Sequence, residues 1–310
     1  MKNNIIKGSM LVALGASSYG MLATFVKMAY KQGFTTAEVT LSQFLLGFVG
    51  LFVLSLFSAK RESSQRTTTD FRSILKLIFA GTSMGLTSIF YYMSVQYIPV
   101  SVGIVLLMQT VWMGVIVEMI LHKKLPGLGK TAAVFIILAG TVMATNLLGQ
   151  SVMVSWIGFG WGMMAAVSYT ASMYASNNVA LHFPSQKRSL FLILGGLIII
   201  AVIFHGSING SFPYPIFWRW GLLLSLFGTI LPPLLFTRGV PLIGMGLGAI
   251  IASVEIPVSI LMAHFLLGEA VSLIQWSGVV LILLAVILMN LKSRSKRNSS
   301  PDLVLTDQNL

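Results

Sequence analysis

Ten apolar stretches succeed one another along this chain, and they constrain its fold more than any other feature. They cover about residues 5–29, 38–58, 73–96, 99–121, 128–147, 154–177, 188–206, 216–237, 241–266 and 271–291. A bilayer core takes about 20 mostly apolar residues per helix. Inside it each backbone polar group must find its partner within its own segment, which predicts helix throughout. Composition agrees: of 310 residues 56% are hydrophobic and only 9% charged, against about a quarter charged in an ordinary soluble domain. Too few charges remain to coat a water-soluble globule, and a disordered chain or a coiled coil fits no better. The reading is an all-α membrane protein with ten transmembrane helices. The connections at 97–98 and 238–240 are very short, so the helices they join are expected to form tight antiparallel hairpins.

The excess positive charge of +12 reads as topology. With both termini in the cytoplasm, the outer side receives Lys27, Lys31 and Arg219, and the other 17 of the 20 basic residues fall inside. That is a strong positive-inside bias. Trp156, Trp161, Trp218, Trp220 and Trp276 fall near outer helix ends, where an interfacial belt belongs, and only Trp112 is mid-span. Lys2 and Lys7 before an apolar run resemble a signal peptide, but the run resumes through Met21–Val26, so a retained first span is expected. The basic residues Lys292–Arg297 follow a span directly, which suits anionic headgroups better than nucleic acid. Residues 293–310 read as a cytoplasmic basic and polar tail that is disordered. Without cysteine, neither disulfides nor thiolate sites are available.

The halves of the chain repeat. A shift of 150 residues lays Gly8, Ser18 and Tyr19 over Gly158, Ser168 and Tyr169. A shift of 146 lays His122–Leu125 over Gly268–Val271 and Ile136–Ala139 over Ile282–Ala285, and Pro99 corresponds to Pro241. Five spans per half is an odd number, so residues 5–147 and 154–292 would be inverted five-helix repeats. That architecture is typical of secondary transporters, with the substrate near the midplane between repeats.

The stretch Ser253-Val-Glu255-Ile-Pro257 running to Gly268-Glu269, followed by Gln275-Trp-Ser-Gly278, resembles the drug/metabolite transporter superfamily, in particular its EamA-type ten-helix exporters. The resemblance covers about residues 5–292. In the first half Gln109-Thr-Val-Trp112 replaces the proline motif, and Lys123 stands where the second half has Glu269. The resemblance implies export or exchange of small metabolites, often amino acids or amphiphilic compounds, without identifying the substrate.

Ionisable groups inside a span are costly and are functional candidates by default. Glu255 is the carboxylate at mid-span depth, read either as a proton-titrating group and partner for a substrate ammonium or as a hydrogen-bonded acid that fixes a kink at Pro257. Gln109 is its repeat-related position. Gly20, Thr24 and Lys27 match Thr170, Tyr174 and Asn177 at a 4-3 spacing that puts each set on one helix face. From these, Thr24, Thr170, Tyr174 and Asn177 are candidate cavity residues, joined by Tyr92 and Trp112, which could stack a ring or cation but at helical spacing also read as packing. His264 is a candidate proton relay. Gly244, Gly248 and Pro257 are candidate hinge or gate residues, or simply points of close packing. Glu118 reads as a local ion-pair partner of Lys123 and Lys124.

No cofactor, metal site or catalytic constellation is expected, and no Walker loop or dinucleotide fingerprint occurs. The expected partners are a small-molecule substrate, the lipid bilayer and protons as coupling ion, not nucleic acid. The leading function is a plasma-membrane (inner-membrane) secondary transporter, an exporter of small organic metabolites. The alternatives are an uncoupled facilitator and, further off, a polytopic assembly or receptor subunit or an intramembrane enzyme.

Overall fold

A computed structural model describes residues 2–59, 70–98, 100–144, 155–207, 212–268 and 271–298. Pro99, Glu269 and the tail beyond Asn298 therefore lie outside the described residues. Among those described there is no strand. The helices are α1 (Lys2–Lys31), α2 (Thr36–Ala59), α3 (Phe71–Tyr97), α4 (Val100–Leu107), α5 (Thr110–His122), α6 (Leu128–Ala144), α7 (Trp156–Asn178) and α8 (Ser185–Ile203). They continue as α9 (Leu222–Ser225), α10 (Leu231–Ile243), α11 (Met245–Ala252), α12 (Glu255–Leu267) and α13 (Leu273–Asn298). π-helical turns at Phe217–Gly221 and Leu226–Ile230 join α9 and α10 into one rod.

Among the described residues, seven helical stretches are long and apolar enough to cross a membrane: Asn4–Lys31, Thr36–Phe57, Phe71–Tyr97, Gly103–His122, Ser185–Ile203, Phe217–Ile243 and Met245–Leu266. Leu128–Ala144 and Leu273–Leu288 are shorter apolar helices. α7 is 23 residues long but is not among the seven. It buries Ser168, Tyr169, Thr170, Ser172 and Ser176 against neighbouring helices, and these polar side chains make it less apolar than the seven. α7 packs along α3, α1 along α10 and α12, α5 along α11, and α6 along α13.

The crossing of α3 and α8 is made of backbone. A Cβ at Gly81 would run into the Leu192 carbonyl, and one at Gly195 into the Ile78 carbonyl. Gly85 faces the Gly196 carbonyl in the same way. Gly81 and Gly85 are spaced four apart, the small-residue pattern that lets two helices approach inside a bilayer.

The expected hairpin at 238–240 is corrected. α10 stays helical through Arg238, Gly239 and Pro241, and the chain turns instead at Gly244, at φ 83 and ψ 160. Residues with a Cβ rarely reach that region, so the glycine decides where the rod ends.

Two rods break near their middle. α4 and α11 have 8 residues each, and α5 and α12 that follow them have 13 each. The second break has a covalent cause. Pro257 has no N–H for the Ser253 carbonyl, which accepts instead from Ile256 at 3.1 Å. The first break has no proline. There the Gln109 N–H turns to Leu106, and its side-chain Nε2 donates to the Val105 carbonyl at 3.0 Å. The side chain thus replaces the bond the backbone gave up.

Candidate functional site

Glu255 opens α12 directly after the second break and is 7% exposed. Its carboxylate borders a cavity of about 50 Å³ lined by α1, α3, α4, α7 and α12. The break puts it there: with the helix interrupted at Ser253 and Val254, the first side chain of the new segment is delivered to the space between the helices. Gly20 of α1 makes room for this arrangement, because a Cβ there would stand 2.6 Å from the Glu255 carbonyl oxygen.

Four tyrosines line the cavity with Glu255: Tyr19 of α1, Tyr91 and Tyr92 of α3, and Tyr169 of α7. Tyr169 donates its hydroxyl to Glu255 Oε2 at 3.4 Å, and its ring meets that of Tyr19 edge-on at 6.0 Å. Tyr92 is held by Gln43, to whose Oε1 it donates at 3.0 Å. Thr87, Ser88 and Ser172 add hydroxyls, and Leu22, Ala23, Met84 and Leu107 supply apolar wall. An apolar wall with a few converging polar groups is the lining a small-molecule site has, although this space is smaller than the usual pocket.

Of the residues singled out from the sequence, the structure brings Glu255 and Tyr92 together here. Trp112, Thr170 and Tyr174 meet elsewhere, in an apolar groove of about 410 Å³ between α5 and α7. Tyr174 is 38% exposed there, while Thr170 Oγ1 is bonded to Thr110 Oγ1 at 2.8 Å. Gln109 lies at the first break and accepts from Trp112 Nε1 at 2.8 Å. Asn177 bonds to Asn178 at the end of α7, and Thr24 is buried in α1 outside the cavity lining. His264 packs by its ring against Phe265 and Trp276. It is nine residues beyond Glu255, about 13 Å along a helix, too far to exchange a proton with it directly.

The glycines after α10 serve a different group. Gly244 and Gly246 stand against the Glu118 carboxylate, and a Cβ at Gly244 would be 3.3 Å from its Oε1. Glu118 is paired with Lys130 at 2.6 Å, not with Lys123 or Lys124. Lys123 has the left-handed φ of 50 that ends α5, and this turns the chain before Lys124. The pair ties α5 to α6 at the start of α11. A Cβ at Gly248 would meet Val240 only at ordinary contact distance.

Four further residues carry weight that the sequence did not signal. Tyr19 and Tyr169 are visible there only as matching repeat positions, and Gln43 as one polar residue in an apolar run. Arg188 counts there as one more cytoplasmic charge. In the structure it is 3% exposed and donates to the carbonyls of Ser176 at 2.6 Å, Thr237 at 2.8 Å and Val179 at 3.0 Å.

The model of the EamA-like transporter family matches this chain at residues 6–146 and again at 156–291. The chain is 28% identical over 187 residues to the uncharacterized inner membrane transporter YicL of Salmonella typhimurium. That match takes in 58% of this chain and 60% of the relative's length. A protein crystal structure superposes with a TM-score of 0.73 over 94% of this chain and 99% of its own, at 13% identity, a likeness of fold. With its apolar helices and two family matches over most of its length, this chain is a multi-pass membrane protein that belongs to the EamA-like transporter family, and not an enzyme.

Proposed function

We propose that the protein is a secondary transporter that exports small organic metabolites, amino acids or amphiphilic compounds among them, across the plasma (inner) membrane. It works by alternating access between two inverted five-helix repeats, residues 5–147 and 154–292, with ten spans and both termini cytoplasmic. The observation that carries this reading is the cavity at Glu255. It is walled by α1, α3 and α4 from one half and by α7 and α12 from the other, and its carboxylate begins a half-helix. Discontinuous helices meeting at a substrate site between repeats are the usual construction of such transporters. The two successive family matches support the repeat, and so do the equal lengths of the broken helices α4–α5 and α11–α12. Rocking of one half against the other would expose the cavity to each side in turn, and Glu255 would exchange a proton or a substrate cation as it does so.

Reconstitution tests this. Purified protein in liposomes, given a panel of amino acids and amphiphilic amines, is expected to move at least one of them and to accumulate it when a pH gradient is imposed. Movement without accumulation would assign an uncoupled facilitator. Folded protein that moves no member of the panel would overturn the transport reading.

A further inference from the structure

Two charged side chains are buried among the described residues, Arg188 and Glu255, and no ion pair joins them. Arg188 is engaged by three carbonyls at the ends of α7 and in α10. Glu255 has the Tyr169 hydroxyl at 3.4 Å. Buried carboxylates are ordinarily met by several donors or by a basic side chain. The main chain offers little here: the N–H groups of Ile256 and Val258 are bonded to Ser253 and Val254, and Pro257 has none. No Lys, Arg or His lines the cavity among the described residues. A positive charge brought in from outside would be the missing partner.

The walls suit such a charge. Tyr19, Tyr91, Tyr92 and Tyr169 line the same cavity as this carboxylate, and aromatic rings attract cations, more strongly where water is excluded. Leu22, Met84 and Leu107 would accept an apolar body. We propose that this cavity is a site for organic cations, in which an ammonium group on an apolar body is held by Glu255 and the tyrosine rings. The proposal rests on the cavity being the substrate site and narrows the substrate to a charge class. An anion would face the Glu255 carboxylate with no basic group to offset it.

The test compares three ligands of nearly equal size on the purified full-length protein: phenylethylamine, 2-phenylethanol and phenylacetate, which are cation, neutral and anion at pH 7. Calorimetric binding is expected to give the cation at least about tenfold tighter than the alcohol, the ratio that one well-placed charge contact supplies, with no detectable binding of the anion. Glu255→Gln is expected to bring the cation down to the level of the alcohol. Tyr19→Leu is expected to weaken the cation several-fold more than the alcohol, which keeps the aromatic part testable if the Gln variant fails to fold. Equal binding of amine and alcohol by the parent protein, or binding of phenylacetate, would overturn the cation site. So would a folded Gln variant that keeps the preference. The same ligands in the liposome flux assay separate the two readings. A cation preference in binding without flux would overturn transport and leave the site standing. Flux of solutes without a cation preference would do the reverse.

Discussion

Replacing Arg188 tests whether its guanidinium holds the α7–α8–α10 corner together. It donates to three carbonyls at 2.6, 2.8 and 3.0 Å, two from the end of α7 and one from α10, and is itself 3% exposed. Each bond from a charged donor is worth about 1.5–3 kcal/mol, so three would sum to roughly 4–9 kcal/mol. Against this stands the desolvation of a guanidinium with no carboxylate beside it, an opposing term of several kcal/mol. Arg188→Met removes both terms and leaves three carbonyls buried, for a net loss of about 2–4 kcal/mol. Arg188→Lys keeps the charge, but an ammonium on a flexible stem cannot reach three acceptors in a fixed fork, so about half that loss is expected. At about 2 °C per kcal/mol for a chain of this size, the Met variant should melt roughly 4–8 °C below the parent in detergent, with Lys between them. A Met variant melting with the parent would refute the clamp. Equal losses for Lys and Met would refute the role of the fork.

Glu255→Gln is expected to abolish gradient-driven accumulation in liposomes while equilibrative exchange persists; unchanged accumulation would remove Glu255 from the coupling pathway. Gly81→Ala sets a methyl group against the Leu192 carbonyl, a backbone atom that cannot rotate aside. It should cost about 1–3 kcal/mol, read as a lower melting temperature, and an unchanged melt would contradict the close crossing. Asp70 caps α3 by accepting from the Arg72 and Ser73 groups, and the Arg72 backbone N–H chiefly holds its carboxyl below the ordinary value. A carboxyl lowered in the folded state stabilises at pH above its unfolded value of about 3.9 and loses that contribution as pH falls through the folded one. The melting advantage of the parent over Asp70→Asn should therefore be present at pH 7 and shrink below about pH 4. A gap constant across that range would exclude the charged cap.

The apolar runs foretold helices because hydropathy acts on every residue of a span at once. The ends of the rods depended on single residues. Arg238, Gly239 and Pro241 look like a connection, yet helix persists through them because Gly244 three residues on takes the turn. Glu255 was legible through the scarcity of charge around it. Its neighbours Tyr19 and Tyr169 were not, since a tyrosine in an apolar span reads as packing until the helices are assembled. The 4-3 spacing of Thr170, Tyr174 and Asn177 identifies one face of α7 but not where that face turns. α7 has helices on several sides, and Tyr169 and Ser172 turn to the Glu255 cavity while Thr170 and Tyr174 turn to the groove against α5. Arg188 was hidden by its position near a helix start, where a basic residue ordinarily faces water. Only the three carbonyls converging on it explain why it turns inward.

The glycine crossing of α3 and α8 has a mechanical consequence. Where helices interlock by side chains, sliding one past the other requires rotamers to unlock, and each adds to the barrier. At Gly81 and Gly195 the touching surfaces are peptide groups, and only Ile199 beside Gly85 and Phe44 beside Gly196 add side chains, so the contact resists separation but offers few obstacles to small rotation. It is built as a bearing. Bulk added there would act on the rate of movement between conformations as well as on stability, and the slowed step would be seen in turnover even where ligand binding is unchanged.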